Sequence, residues 1–419
     1  MRIRNTIFAI IFCAFLLGPA GIILSEKIGL DLPGWATAEN ADYLSGGIGK
    51  AEVKECLNFE GFRTEDLQAN LETKINNYVP SRATVILLNA KIQRKLIEIS
   101  NLLFDWNCYP TYFGSDVIYD SESNSLRQNP ALSYSKIEQT FIRLKLFGES
   151  LSKFANANRD VEIALVFPTY GPNTSVNPAW DLVSEKCDIR DCIAIVNKQV
   201  ADLDNVHIIY QDIDTYSDYL KYYYKCDNHW NGFGAIMAYN LVAESLGLPS
   251  TNARFSENDI LKNYSFYGQL GRQGRMLLAN TGPLDEPPIK AESLEVSNAI
   301  ADAAILSVNL SSIEPTYAEY NFYQWFYGGD IPAVITNENL QNGESLLVIC
   351  DSFGDAFRWA AASSCKEVNS VYDLHGSSND YTSFSERIEE TSAKKIIFVG
   401  SILNYSTFLD RHPNYFHID

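Results

Sequence analysis

Leu346-Leu347-Val348-Ile349-Cys350-Asp351-Ser352-Phe353-Gly354 reads as an apolar strand that stops abruptly at Asp-Ser and turns into a helix. A short unbroken apolar run of this kind suits a strand covered on both faces, as in a parallel sheet. A serine at such a turn projects its hydroxyl from the C-terminal edge of the sheet. Its own backbone N–H then faces the point where an oxyanion would form. Ser and Asp also favour ordinary helix caps, so these letters carry chemistry only if a base lies nearby. Working outward, apolar strands are predicted at 345–350, 369–374 and 394–399, with helices at 353–362 and 383–391 between them. Upstream, 161–167 and 206–210 have the same strand character, and 62–75 and 134–154 show helical spacing. Strands alternating with helices predict an α/β fold: a parallel sheet flanked by helices, with its ligand crevice at the strand ends.

The chain of 419 residues is long enough for one large domain or two ordinary ones. With 46% apolar and 20% charged residues it falls in the globular range, which excludes a disordered, collagen-like or multi-span membrane protein. Lys and Arg number 33 against 52 Asp and Glu, a net charge of −19 that repels phosphate backbones, so no nucleic-acid partner is expected. Arg2 and Arg4 precede an uncharged stretch from Ile7 to Leu24. Residues 1–26 therefore read as a signal peptide or membrane anchor. The small-residue site Ala36-Thr37-Ala38 lies far beyond the apolar run, which favours an uncleaved anchor, with secretion after cleavage as the alternative. No later segment is long enough to span, so the remainder is expected outside the cytoplasm, periplasmic or at the cell surface.

The remaining organisation reads as a helical extension at 27–133, a first part of the sheet domain at 134–250, an irregular insertion with some strand at 251–340, and a second part at 341–419. The insertion is marked by Gly, Pro and Asn punctuation, as in Asn280-Thr281-Gly282-Pro283. Of eight cysteines, Cys187 and Cys192 flank Asp-Ile-Arg-Asp closely enough to close a small disulfide loop, and the others cannot be paired from sequence. No CxxC pair or His-rich cluster is present, so no metal is expected.

The candidate base lies in Cys226-Asp227-Asn228-His229-Trp230-Asn231-Gly232-Phe233-Gly234, just ahead of an apolar-periodic helix. A carboxylate two residues before a histidine can bond one ring nitrogen and leave the other to act as base. Asp373-Leu374-His375 repeats the spacing at another strand end and is the rival. His207 lies within an apolar strand and reads as a packed residue, whereas His412 and His417 fall in the C-terminal tail.

These motifs resemble the SGNH hydrolase family, but out of order. Reading from Ser352 to the C-terminus and then back from Tyr134 gives the family's usual sequence. It runs through Asp351-Ser352, then a strand ending near Gly376, then a strand ending at Gly400 with Asn404 after it, and finally Asp227 and His229. The chain thus looks like a circularly permuted SGNH-like domain, an arrangement that surface termini tolerate. The permuted order is similar to periplasmic alginate O-acetyltransferases and DHHW-type bacterial proteins. That resemblance implies a catalytic triad of Ser352, His229 and Asp227, with an oxyanion hole from the N–H groups of Ser352 and Gly376 and the side chain of Asn404. Two departures stand out: Cys350 replaces the glycine before Asp-Ser, and Asn404 follows Gly400 at a longer interval than the family's Gly-x-Asn-Asp. Crowding at the nucleophile and an altered oxyanion hole are the expected consequences.

The activity implied is O-acetyl transfer to hydroxyls of an extracytoplasmic polysaccharide, with no cofactor. The acetyl donor would be delivered by a membrane protein partner. A carbohydrate acetylesterase and a non-catalytic surface protein that binds glycan or a protein are the alternatives. Trp230, Trp325 and Arg272 are the candidate substrate-binding residues; packing of the same aromatics, and of Tyr216, Tyr219 and Tyr222 to Tyr224, is the competing reading.

Overall fold

The computed structural model describes residues 82–104, 108–110, 117–120, 122–128, 134–169, 174–182, 186–251, 268–270, 294–297, 332–337, 340, 342–374 and 383–416. The chain divides into two units, one of them comprising Met1–Trp106, Thr111–Ser115 and Arg272–Met276. Its described part is a single helix, α1 (Arg82–Phe104), along which Leu88, Ile92, Leu96 and Ile99 recur at helical spacing and are exposed. The leader at 1–26 lies outside the described residues. Among the described residues no helix is long and apolar enough to cross a membrane.

The second unit opens with a small antiparallel sheet, β1 (Cys108–Pro110), β2 (Val117–Asp120) and β3 (Ser125–Gln128). These three strands lie within the stretch expected as a helical extension. Asp120 explains the reversal between β2 and β3, because its carboxylate accepts from the backbone N–H groups of Glu122 and Ser123. Asn124, at φ 51, completes the turn in a conformation that Asn tolerates better than most residues.

The main sheet has seven strands in the order β5-β4-β10-β8-β9-β7-β6. These are β4 (Glu162–Phe167), β5 (Val206–Tyr210), β6 (Leu294–Ser297), β7 (Ala333–Asn337), β8 (Ser345–Cys350), β9 (Glu367–Val371) and β10 (Lys395–Val399). The strands from β5 to β9 run parallel, whereas β7 and β6 add an antiparallel edge from the insertion. Taken in the permuted order, β8 first and β5 last, the parallel strands lie 2-1-3-4-5, the flavodoxin-like arrangement. The permuted α/β reading of the sequence therefore holds.

Alternate strand residues face opposite layers. Ile163, Leu165, Phe167, Leu347, Ile349, Ile396 and Phe398 share a core with α2 (Tyr134–Ala157), α3 (Ile189–Val200), α7 (Phe384–Thr391) and α8 (Ile402–Arg411). Phe147 is its centre, with edge-on contacts to Phe398, Tyr405, Phe408 and Phe416. The intervening residues, Cys350 among them, face the other layer, where α5 (Gly232–Leu246) and α6 (Gly354–Ala362) lie. Each buried Leu, Ile or Phe side chain in such a layer stabilises the fold by about 1.5–3 kcal/mol, which is why these apolar runs stay strands.

Candidate active site

Strand β8 ends at Cys350, and the next two residues turn into α6. Asp351, 1% exposed, holds that turn. Its Oδ1 accepts from the Phe353 N–H at 2.9 Å, and its Oδ2 accepts from the Ser401 N–H at 2.7 Å and from Asn404 Nδ2 at 2.8 Å. One carboxylate thus ties the end of β8 to the turn after β10, fixing the residue between them, Ser352. Crowding from Cys350 does not occur. Its side chain turns under α6, where Sγ donates to the Val371 carbonyl at 3.4 Å. Gly354 makes the room, since a Cβ there would stand only 2.2 Å from Cys350 Sγ.

The base arrives from the loop between α4 (Tyr216–Tyr222) and α5. A bridge between Tyr223 and Trp230 closes this loop, the Asn231 N–H donates to the Tyr222 carbonyl, and the Asn231 side chain caps α5 at the Gly234 N–H. Within it, His229 Nδ1 lies 2.6 Å from Asp227 Oδ1, and His229 Nε2 lies 2.6 Å from Ser352 Oγ. The chain therefore brings together Asp227, His229 and Ser352 in one relay. The second oxygen of Asp227 accepts from the Gln269 N–H at 2.6 Å, and Leu270 N–H bonds the Cys226 carbonyl. Gly268 allows that approach. It sits at φ 59, and a Cβ would come within 2.4 Å of the Cys226 carbonyl oxygen.

The relay is enclosed, with the His229 side chain 11% and the Asp227 side chain 6% exposed. Burial alone pulls the His229 pKa down. The charge and hydrogen bond of Asp227, reinforced by the charges of Asp351 and Asp355, more than offset it, and the net shift is upward from 6.5. Asp355 is fully buried, receives the Tyr372 hydroxyl and faces Arg358 at 3.6 Å. Sequence reasoning missed Asp355, Gln269 and the clamping role of Asp351. Only the last had a signal, the Asp beside the serine.

Trp230 corrects a sequence expectation. It is 0% exposed, donates from Nε1 to the Phe353 carbonyl at 3.0 Å and meets the Phe353 ring edge-on, so it braces the nucleophile turn and offers no face to a sugar. Tyr219, Tyr223 and Tyr224 are likewise buried; Tyr219 stacks on Tyr223 at 4.3 Å, and Arg127 lies over Tyr219 at 4.5 Å. Packing is the outcome for these tyrosines. Gly376, His375, Arg272 and Trp325 lie outside the described residues. Among the described residues no cluster of His, Cys, Asp and Glu is arranged to hold a metal ion.

The permuted parallel sheet, with Ser352 just after β8 and Asp227 and His229 in the loop before α5, is an SGNH-like α/β fold. The same fold is found in a DHHW family protein from Eubacterium siraeum, with a TM-score of 0.50 and 14% identity over 73% of this chain and 98% of that one. PatB1 from Bacillus cereus is 20% identical over 70% of this chain and 97% of its own, with a TM-score of 0.46. The O-acetyltransferase domain of Pseudomonas putida AlgJ is 10% identical over 70% and 92%, with a TM-score of 0.34. No protein-family model and no curated protein matches the chain.

Proposed function

We propose that this protein is an O-acetyltransferase that moves an acetyl group onto hydroxyls of an extracytoplasmic polysaccharide through an acetyl-serine intermediate. The observation that carries the reading is the pair of 2.6 Å contacts linking Asp227, His229 and Ser352. Asp227 holds Nδ1 protonated, so Nε2 takes the Ser352 proton as Oγ attacks the acetyl carbonyl. The leaving group departs with that proton, and the serine carries the acetyl. An acceptor hydroxyl then gives its proton to Nε2 and attacks the acetyl-serine, releasing Ser352 as the hydroxyl again.

The oxyanion formed in each step is assigned to the N–H groups of Ser352 and Gly376 and to Asn404. An amide nitrogen carries two N–H bonds, so Asn404 can donate one to Asp351 and direct the other at the oxyanion. Each such donor is worth about 2.7–4 kcal/mol in the transition state. The resemblance to alginate O-acetyltransferases supports transfer to a glycan, with the acetyl donor supplied by a membrane partner and the chain held by its N-terminal segment.

The test uses a chromogenic acetyl ester with and without polysaccharide acceptors. Acetyl-glycan appearing with the acceptor, and lost in Ser352→Ala, supports transfer. Release of acetate from acetylated glycan without acceptor dependence points to an esterase. Turnover unchanged by Ser352→Ala rejects Ser352 as the nucleophile, and turnover absent with every ester and acceptor leaves a binding protein.

A further inference from the structure

Helix α3 starts at Ile189, with Asp188 as its N-cap accepting from the Arg190 N–H at 2.8 Å. Counted from that cap, Cys187 occupies the position before it and Cys192 the fourth helical position. These two places meet at a helix start, where an apolar pair commonly staples the incoming chain to the first turn. Here both members are cysteines. Their sulfurs lie 3.4 Å apart, and the residues are 4% and 1% exposed. The two sulfurs must close from 3.4 Å to about 2.05 Å to form a bond.

The geometry points to Cys187 and Cys192 as a redox-active pair, oxidised to an intrachain disulfide by a disulfide-bearing oxidant of the thiol-exchange class. The Cys187 thiol loses its proton to solvent and attacks one sulfur of the oxidant, forming a mixed disulfide and expelling one oxidant thiolate. Cys192, deprotonated in turn, attacks the Cys187 sulfur and expels the second thiolate. The protein gives up two protons and two electrons; the oxidant's disulfide is reduced to two thiols. Cys187 is the natural attacker, since the hydrogen bond from Cys192 pulls its pKa down, while that same contact and burial push Cys192 up.

The position gives the bond a structural effect. Helix α3 packs back along the sheet after β4, so its N-terminus lies at the same strand edge as the Asp351-Ser352 turn. A disulfide there fastens the connection leaving β4 to the start of α3. This inference is independent of the acetyl-transfer reading.

The test is incubation of the purified full chain with oxidised glutathione, alkylation in denaturant and trypsin mapping. Cleavage after Lys186, Arg190 and Lys198 separates the two cysteines, so a disulfide leaves Cys187–Arg190 joined to Asp191–Lys198. The expected result is that linked pair, split by dithiothreitol, and a melting temperature about 5 °C above the reduced protein. That difference should vanish in Cys192→Ser. Both cysteines alkylated after oxidation, a stable glutathione adduct on Cys187, or a link to any other cysteine would overturn the proposal. Mapping the wild-type protein decides the matter even if the variant fails to fold.

Discussion

Two loop segments carry the same Asp-x-His letters, and their carboxylates meet different fates. In Asp227-Asn228-His229 the carboxylate turns back onto its own histidine, bonding both the backbone N–H at 3.1 Å and the ring Nδ1 at 2.6 Å. In Asp373-Leu374-His375 the carboxylate is taken by the C-terminal elements. Tyr415 donates to it at 2.6 Å, Arg387 lies at 3.5 Å, and His412 Nε2 contacts the Asp373 carbonyl at 3.0 Å. Spacing therefore does not decide which pair becomes a relay. The difference seen is in the carboxylate: Asp227 turns one oxygen onto its own histidine, whereas Asp373 is held by side chains of other elements.

The comparison is broken most directly at the relay. Ser352→Ala should lower acetyl-ester turnover by about 10⁴–10⁶-fold with little change in melting temperature. Retained turnover would mean that another nucleophile does the chemistry. Asp227→Asn should cost about 10⁴-fold, since an amide in place of the carboxylate favours the wrong imidazole tautomer and removes the charge that steadies the imidazolium.

The same substitution sharpens the comparison through pH. His229 works as a base only when neutral, and its pKa is raised above 6.5, so activity should rise with pH through a midpoint above that value. Asp227→Asn should move the midpoint down. The sign for stability is opposite: protonated His229 is favoured by its carboxylate neighbours, so that contribution is fully present below the unfolded value near 6.5. It is lost as pH rises through the folded value. Denaturant titrations of wild type and Asp227→Asn across this window check it; equal pH slopes would count against the buried ion pair.

Much of this was legible in the chain. Strands β4, β8 and β10 are apolar runs because both faces are covered, and their limits, like those of the edge strand β5, were readable within a residue. The contacts among Asp227, His229 and Ser352 were expected because the resemblance joined two distant motifs. Trp230 departs from expectation because an aromatic beside His229 carries no mark of which way it faces; only the Phe353 carbonyl and ring reveal that it packs inward. The hold of Gln269 on Asp227 uses a backbone N–H, which every residue but proline has, so no letter advertised it. The strands at 108–128 are too short for period counting and depend on the Asp120 turn.

Asp351→Asn ranks next. The isosteric amide keeps the size of the clamp but must turn one NH₂ toward donors, facing either the Phe353 N–H or the pair formed by Ser401 N–H and Asn404 Nδ2. A loss of about 10–100-fold in turnover is expected, together with a downward shift of the acid limb, because a charge that favours protonated His229 disappears. A fall in turnover with the limb unmoved would assign Asp351 to geometry alone.

The smallest effect on turnover belongs to the second segment, and it completes the contrast. Tyr415→Phe removes the hydroxyl that satisfies buried Asp373 while leaving the ring in place against Phe384 and Phe408. A carboxylate left with one donor fewer in a buried site should cost about 1–3 kcal/mol of stability. Acetyl-ester turnover measured well below the melting temperature should stay within about threefold of wild type, since Asp373 here serves the fold. A large loss of turnover at unchanged stability would instead tie Asp373 to the reaction and return the 373–375 segment to the status of a rival relay.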